Sequence, residues 1–255
     1  RELSSGVSVC PPEPVEGSYY VSAYPPFSCW RKDGGDQVQF LLNHTGPAER
    51  DLPFGLYVHI PFCVERCQYC YYLSYAGKSQ FEIEPFLDAL IRELSLYRNT
   101  RAFAGRKLAF VYFGGGTPSL LSADSIRRLL AGLKAVFPWT DVQEVTFECA
   151  PRSVTGEKLR ELREAGVNRV SLGVQQLDDD VLRLNGRVHQ VADVERAFEA
   201  IQPAGFHEVN LDLIVGLVGE TDDTFYGSLE RVIGMGPDSV TIYQLEIPHN
   251  TPLYR

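Results

Sequence analysis

Three cysteines within one short stretch, Cys63-Val-Glu-Arg-Cys67-Gln-Tyr-Cys70, constrain this chain more than any other feature. Their C-x3-C-x2-C spacing directly follows the apolar run Leu56-Tyr57-Val58-His59-Ile60. Thiolates bind soft metals and iron–sulfur clusters. A strand that ends in a loop of closely spaced thiols can wrap one face of a cubane and leave one iron without a protein ligand. An open coordination position does chemistry, whereas a closed one is structural. From spacing alone three readings stand: an iron–sulfur cluster, a zinc site, or thiols with no shared ligand.

The chain has 255 residues, enough for one α/β barrel-like domain with a large core or for two small domains. Hydrophobic residues make up 44% and charged residues 22%, the balance of an ordinary soluble globular protein. No apolar run reaches the length of a membrane span, and Arg1-Glu-Leu-Ser-Ser-Gly has no signal-type apolar core. The net charge of −9 and the lack of any Lys/Arg-rich block argue against nucleic acid as a partner. Six cysteines in a chain of this length are too few for a secreted disulfide scaffold. Clustered thiols of this kind point to a reducing cytoplasm.

Residues 1–55 are rich in Pro, Gly, Ser and aromatics and hold neither helical nor strand periodicity for long. Tyr19-Tyr20-Val-Ser-Ala-Tyr24-Pro25-Pro26-Phe27 reads as an extended, proline-stiffened arm. From Leu56 onward short apolar strands alternate with amphipathic helices. Strands are predicted at 56–60, 107–113, 144–149, 168–174, 208–215 and 238–245. Helices fall between them, at about 82–98, 122–136, 155–165, 178–185 with 191–203, and 221–235. Thr155 is placed to cap the third helix and Gly166 to close it, and Gly205 ends its own linker in the same way. The strands are near-continuous apolar runs, as expected when both faces are covered. Six βα units in succession imply parallel strands with right-handed crossovers, in a doubly wound sheet or a partly closed barrel.

In either architecture ligands gather at the carboxyl ends of the strands. The cysteine loop follows the first strand. Gly114-Gly115-Gly116-Thr117-Pro118-Ser119 follows the second, where bare amides can approach a ligand or simply make a tight turn. It lacks the Lys-Ser/Thr element of a P-loop. Glu148 ends the third strand, where it is either a ligand contact for a ribose or cation or a solvated carboxylate. Ser171-Leu-Gly173-Val-Gln175 forms the fourth, with Arg187 and His189 after a short helix. Gln175 can hydrogen-bond a ligand and Arg187 suits a carboxylate. Asp212, within the fifth apolar strand, is costly unless paired, so it is a ligand contact or a partner for an arginine such as Arg187. The sixth strand leads through Tyr243-Gln244-Leu-Glu246 to His249. Together these suggest a pocket for a cluster and a small zwitterionic, ribose-bearing molecule.

In this order the residues resemble the radical S-adenosylmethionine (SAM) superfamily, and within it the branch of the oxygen-independent coproporphyrinogen III oxidase. The matching segments are Tyr57-Val-His-Ile-Pro-Phe-Cys63 with the cysteine loop, Phe113-Gly-Gly-Gly-Thr-Pro-Ser119, Ser171-Leu-Gly-Val-Gln175, Asn185-Gly-Arg187, Asn210-Leu-Asp212-Leu-Ile-Val-Gly216 and Thr251-Pro-Leu-Tyr254. The resemblance implies a partial (βα)6 TIM-like barrel over 56–255 behind an N-terminal arm, 1–55, with the family's usual C-terminal covering domain absent from this chain. It also implies a [4Fe–4S] cluster on Cys63, Cys67 and Cys70, with SAM on the fourth iron. Tyr57 and Tyr69 would lie near both. Gly115, Gly116 and Thr117 would hold the methionine moiety, and Glu148, Gln175, Arg187 and Asp212 the remaining polar groups. The backbone near Ile242 would hold the adenine. The implied chemistry is one-electron cleavage of SAM to a 5′-deoxyadenosyl radical that abstracts hydrogen from a small-molecule substrate. An electron donor such as flavodoxin or ferredoxin is the implied partner.

The chain departs from its branch at several points. Coproporphyrinogen oxidases carry a further cysteine soon after the third ligand, where this chain has Tyr71-Tyr72-Leu73-Ser74. Heme-chaperone relatives carry an Asp- or Asn-Phe pair there and usually lack a long leader. Methyl or methylene transfer with a second SAM, on a specialised-metabolite or tetrapyrrole substrate, is therefore the leading expectation. Oxidative decarboxylation of coproporphyrinogen III and a non-enzymatic heme chaperone are the alternatives. Of the leftover residues, Cys149 is expected to be a buried inert thiol and His59 a core histidine on backbone. His189 and His249 are weighed as proton carriers, and Cys10 and Cys29 carry no assigned role.

Overall fold

The computed structural model describes residues 34–44, 53–247 and 251–254. The proline-stiffened segment 19–27, Cys10, Cys29 and His249 lie outside the described residues. The first element is an α-helix, Gly34–His44 (α1), within the stretch whose sequence shows no sustained periodicity. None of its residues is buried, so no apolar stripe was there to find. Local terms suit it instead: Asp36 stands in the first turn and His44 in the last, matching the helix dipole. The Asn43 and His44 side chains also reach back to the carbonyls of Gln39 and Phe40.

The barrel begins with Phe54–Ile60 (β1), followed by two short strands that flank the cysteine loop, Phe62–Cys63 (β2) and Tyr75–Ala76 (β3). Then come Gln80–Arg98 (α2), Leu108–Gly115 (β4), Ala123–Val136 (α3), Glu144–Cys149 (β5), Gly156–Glu164 (α4) and Arg169–Gln175 (β6). Asp179–Leu184 (α5), Val191–Ile201 (α6), Glu208–Val215 (β7), Asp222–Met235 (α7) and Ser239–Gln244 (β8) complete it. The main sheet has the order β1-β4-β5-β6-β7-β8 with every neighbouring pair parallel. Among the described residues β1 and β8 do not pair, which leaves the barrel open along one side, the partial six-unit α/β barrel expected from the sequence.

The helix ends follow the sequence signals. The Thr155 hydroxyl accepts the Lys158 amide at 3.3 Å at the start of α4, and Gly166 closes that helix at φ +85°. One face of each strand packs outward against the helices. Phe113 and Phe147 lie side by side there with ring centres 5.3 Å apart, and both are fully buried. Each contributes about 2–3 kcal/mol of hydrophobic stabilisation. Leu129, Leu130 and Leu133 of α3 cover them from the helical layer. Because side chains alternate along a strand, the intervening residues Tyr57, Tyr112, Glu148, Asp212 and Tyr243 are left for the barrel interior. None of the helices among the described residues is long and apolar enough to cross a membrane.

Candidate active site

A cavity of about 420 Å³ opens at the carboxyl ends of the strands, within the size range of small-molecule sites. Of the residues singled out from sequence, Tyr57, Tyr69, Cys70, Gly115, Gly116, Thr117, Glu148, Gln175, Arg187 and Asp212 line it. Cys63 and Cys67 are not among its lining residues, but each meets one that is, Thr117 and Arg187 respectively. Ile242 does not line it. That side chain is half-exposed on β8, and residues 243–246 form the wall instead.

The cysteine loop is closed at its neck by the β2–β3 pairing and by the Tyr75 amide donating to Pro61 O at 2.6 Å. Its middle is held from two distant parts of the chain. The Gln68 amide donates to Asn185 O at 3.3 Å, and the Leu253 amide donates to Gln68 O at 2.9 Å. Asn185 is itself fully buried and binds Val181 and Val218 through its side chain. The Thr117 hydroxyl donates to the Cys63 sulfur at 3.7 Å, and Arg187 Nη1 donates to the Cys67 sulfur at 3.1 Å. Burial pushes the Cys63 and Cys70 thiols up, and the other thiols of the loop add to that rise.

The triple glycine lets two stretches of backbone approach closely beside the cavity. The Gly116 amide donates to Ile60 O and the Thr117 amide to Phe62 O, both at 2.8 Å, so these amides are engaged by the chain leading into Cys63. A Cβ at Gly116 would stand 2.7 Å from Phe62 O, and one at Gly115 2.6 Å from the His59 ring. Gly115 also has φ +109°, open to glycine and strained for any other residue. The glycines therefore let β4 and the cysteine-bearing segment come together, and the backbone left facing the cavity is what a ligand can meet. His59 matches its expected role, with Nε2 2.9 Å from Leu73 O and Nδ1 3.2 Å from the Tyr57 hydroxyl.

The acidic wall is built by register. Tyr112 donates to Glu148 Oε1 at 2.8 Å. Burial, reinforced by the Asp212 charge, raises the Glu148 carboxyl to about 7 against the hydrogen bonds of Tyr112 and the Gly115 amide. Asp212 forms no ion pair with an arginine among the described residues, although the Arg169 charge acts on it: Ser171 Oγ donates to Oδ2 at 2.7 Å and Asn210 Nδ2 to Oδ1 at 2.8 Å. Burial still raises Asp212, and those two bonds oppose the rise. Ser171 and Asn210 are opposite each other in the β6–β7 register. The polar alternation Asn210-Leu-Asp212 was the signal for this pair, since period two puts both on one face. Arg187, expected against a carboxylate, instead faces Cys67 and the carbonyl of Gly173 at 3.4 Å.

Gln175 has φ +69°, alone among the described non-glycine residues in taking a positive value. It follows a register shift in β6 between Gly173 and Gln175, a bulge that re-aims the side chain at the cavity. His189 is buried with Nε2 3.0 Å from Val174 O, and burial with the neighbouring Arg187 charge lowers it to about 4. It is a neutral core group rather than a proton carrier at the surface. Cys149 is a free thiol, buried as expected and raised by burial to about 12, and it also stands at the cavity wall. Tyr243 and Glu246, singled out at the end of the sixth strand, and Tyr71 and Tyr72 after the third cysteine also line this wall, whereas reading by sequence missed Tyr112.

Three thiols on one loop have the chemistry of a soft-metal or iron–sulfur donor set. The Cys67 and Cys70 thiols both act on that of Cys63, and among the described residues no three His, Cys, Asp or Glu side chains are gathered to hold a metal ion. The buried Arg187 Nε, at the cavity wall, has no hydrogen-bond partner. A polar atom left in that state marks a place where a polar ligand belongs.

Residues 57–232 match the model of the Radical SAM superfamily. The heme chaperone HemW of Haemophilus influenzae is 37% identical over 201 residues, covering 78% of this chain and 52% of the relative. The oxygen-independent coproporphyrinogen III oxidase of Escherichia coli is 35% identical over 230 residues, covering 89% and 48%. The solved structure of coproporphyrinogen III oxidase (HemN) from Escherichia coli superposes with a TM-score of 0.70 at 29% identity, over 86% of this chain and 53% of that one. The chain thus spans about half the length of the relatives it matches.

Proposed function

This chain belongs to the radical SAM superfamily, whose cofactors are a [4Fe–4S] cluster and SAM, and from that premise we propose that it cleaves SAM reductively to start radical chemistry on a small molecule. The observation that supports this best is the meeting of the cysteine loop, Thr117 and Arg187 with the carboxylates Glu148 and Asp212 around one cavity. Cys63, Cys67 and Cys70 would hold the cluster. Gly115, Gly116 and Thr117 would border the methionine moiety, and Glu148, Gln175, Arg187 and Asp212 the remaining polar groups. The backbone of β8 from Ile242 onward would border the adenine. When bound, the pair supplies a one-electron reduction of the sulfonium and a carbon radical able to take hydrogen from an unactivated C–H bond.

The chain's own residues supply charge, shape and exclusion of water. The Arg187 guanidinium donates to the Cys67 sulfur at 3.1 Å and so helps hold that side chain at the site. Ser171 and Asn210 fix the Asp212 carboxylate toward the cavity, and Tyr112 does the same for Glu148. Tyr57 and Tyr69 wall the space beside the cysteine loop. The reading places the reaction in the cytoplasm with a small one-electron donor such as flavodoxin or ferredoxin.

Methyl or methylene transfer, the leading expectation from the sequence, draws no support from the relatives above, which are described as a heme chaperone and an oxidase. No transfer step is assigned here. The identity to HemW favours a second reading, a heme-binding chaperone on the same fold. Anaerobic reconstitution with iron and sulfide, followed by dithionite and SAM, separates these. Formation of 5′-deoxyadenosine supports the enzyme. Tight heme binding with no SAM cleavage supports the chaperone, and S-adenosylhomocysteine beside 5′-deoxyadenosine restores methyl transfer.

A further inference from the structure

Resting on the reading that Asp212 meets SAM, we propose that Asn210, Ser239 and Thr241 are positioning residues that hold Asp212 as an ionised hydrogen-bond acceptor. None of the three is among the residues lining the cavity. They stand in the barrel interior, one layer below the site. Period two puts Glu208, Asn210 and Asp212 of β7 on that interior face, with Arg169 and Ser171 of β6 on one side and Ser239 and Thr241 of β8 on the other. Parallel register then sets Arg169 beside Glu208 and Ser171 beside Asn210. On the opposite flank it sets Asn210 beside Ser239 and Asp212 beside Thr241.

These side chains form a continuous ladder of hydrogen bonds. At its foot Arg169 Nε donates to Glu208 Oε1 at 2.9 Å. The Ser239 hydroxyl lies 2.8 Å from that same oxygen and 2.9 Å from Asn210 Oδ1, and Thr241 Oγ1 donates to Asn210 Oδ1 at 3.0 Å. The other end of this fully buried carboxamide, Nδ2, donates to Ser171 Oγ at 2.9 Å and to Asp212 Oδ1 at 2.8 Å. A carboxamide accepts at one end and donates at the other. With hydroxyl donors on the β8 side, its donating end must face Asp212. Turned over, the Asn210 oxygen would confront the carboxylate, which only a protonated Asp212 tolerates. The β8 hydroxyls therefore act on Asp212 through Asn210. Thr241 and the Arg169 charge also favour the ionised form directly, whereas Ser239 reaches it only along the ladder. Ser171 supplies the second donor, on Oδ2, and the remaining lone pairs of Asp212 are left for a donor group in the cavity.

The test begins with cofactor-free protein carrying carbon-13 in its aspartate carboxyls. The Asp212 resonance is identified by its loss in Asp212→Asn and followed through the acid range by NMR. The other charged or titratable groups acting on Asp212, Arg169 below it and Glu148, Tyr112 and Tyr243 around it, are unaltered in every variant. Ser239→Ala and Thr241→Val should each move the Asp212 midpoint up by about half a pH unit or more, and Thr241→Ser should restore it. SAM affinity is then measured on cluster-loaded protein under anaerobic conditions. Ser239→Ala should weaken it by about threefold or more alone and by nothing measurable in the Asp212→Asn background. An unmoved midpoint, or an equal loss of affinity in both backgrounds, overturns the proposal. If the midpoint moves while wild type and Asp212→Asn bind SAM alike, or neither binds it, the ladder stands and the reading that Asp212 meets SAM fails.

Discussion

Arg187 Nη1 lies 3.1 Å from the Cys67 sulfur across 120 positions of sequence, and its guanidinium has no carboxylate partner among the described residues. The thiol is thus both a candidate cluster ligand and the acceptor for a buried cation. Cys67→Ala is expected to lose the brown cluster absorbance and SAM cleavage, and to lower stability by roughly 2–3 kcal/mol through the stranded guanidinium. Cys67→Ser keeps an acceptor, so it should lose the cluster with a smaller loss of stability. Iron content and urea midpoints of the two variants check this, and full iron retention in either contradicts the assignment.

Glu148 makes the cofactor-free protein less stable as pH rises. Its folded value of about 7 exceeds the ordinary 4.5, so between those values the native state keeps a proton that the unfolded chain has released. Unfolding free energy therefore falls across that window, by roughly 3 kcal/mol, and levels off above it. Asp212, also raised, acts in the same direction. Glu148→Gln should flatten most of the slope while retaining an acceptor for Tyr112. Urea midpoints at about pH 5 and about pH 8 measure it, and an unchanged slope in the variant would assign the effect elsewhere.

Asp212→Asn should weaken SAM binding by about 10- to 100-fold, the worth of a charged hydrogen bond, with iron loading nearly unchanged. Ser171 and Asn210 both donate to this carboxylate, so an amide at 212 sets one donor against another. Equilibrium binding and iron analysis on one preparation decide it. Equal loss of both would make Asp212 a structural residue.

Gln175→Gly should stabilise the cofactor-free fold by about 1 kcal/mol and weaken SAM binding. The backbone at φ +69° is strained for glutamine and free for glycine, while the lost amide faced the cavity. Thermal melts and SAM titration give the two signs independently. A less stable variant would mean that the side chain supports the bulge itself.

Asn185→Ala should cost roughly 3 kcal/mol, because its amide holds Val181 O and both backbone groups of Val218 in a fully buried place. The same change loosens the carbonyl that receives Gln68, so Cys67 should react faster with a thiol reagent. An unaltered labelling rate would show that the loop stands without this support.

The six strands and their helices were legible because continuous apolar runs, capped by residues such as Thr155 and stopped by glycines such as Gly166, are local signals. The three cysteines stood out for the same reason, by spacing, which left a cluster, zinc and unrelated thiols open. The β2–β3 pair was not, since two residues a side carry no period, and α1 was not, since it buries nothing. Partners across the site depended on register and closure. Nothing local announced that Asp212 would meet Ser171, that Arg187 would meet Cys67, or that six tyrosines on separate segments would share one wall. The positive φ of Gln175 belongs to the bulge, which only the paired strands reveal.

Gln68 is held by Asn185 and Leu253, so the supports of the cysteine loop are encoded long after the loop itself. Synthesis proceeds from the amino end, and the three thiols leave the ribosome well before either brace has been translated. Until then they are accessible sulfur groups open to oxidation. Timing is thus built into the connectivity: the ribbon that carries the thiols cannot gain its two backbone braces until residue 253 has followed it off the ribosome.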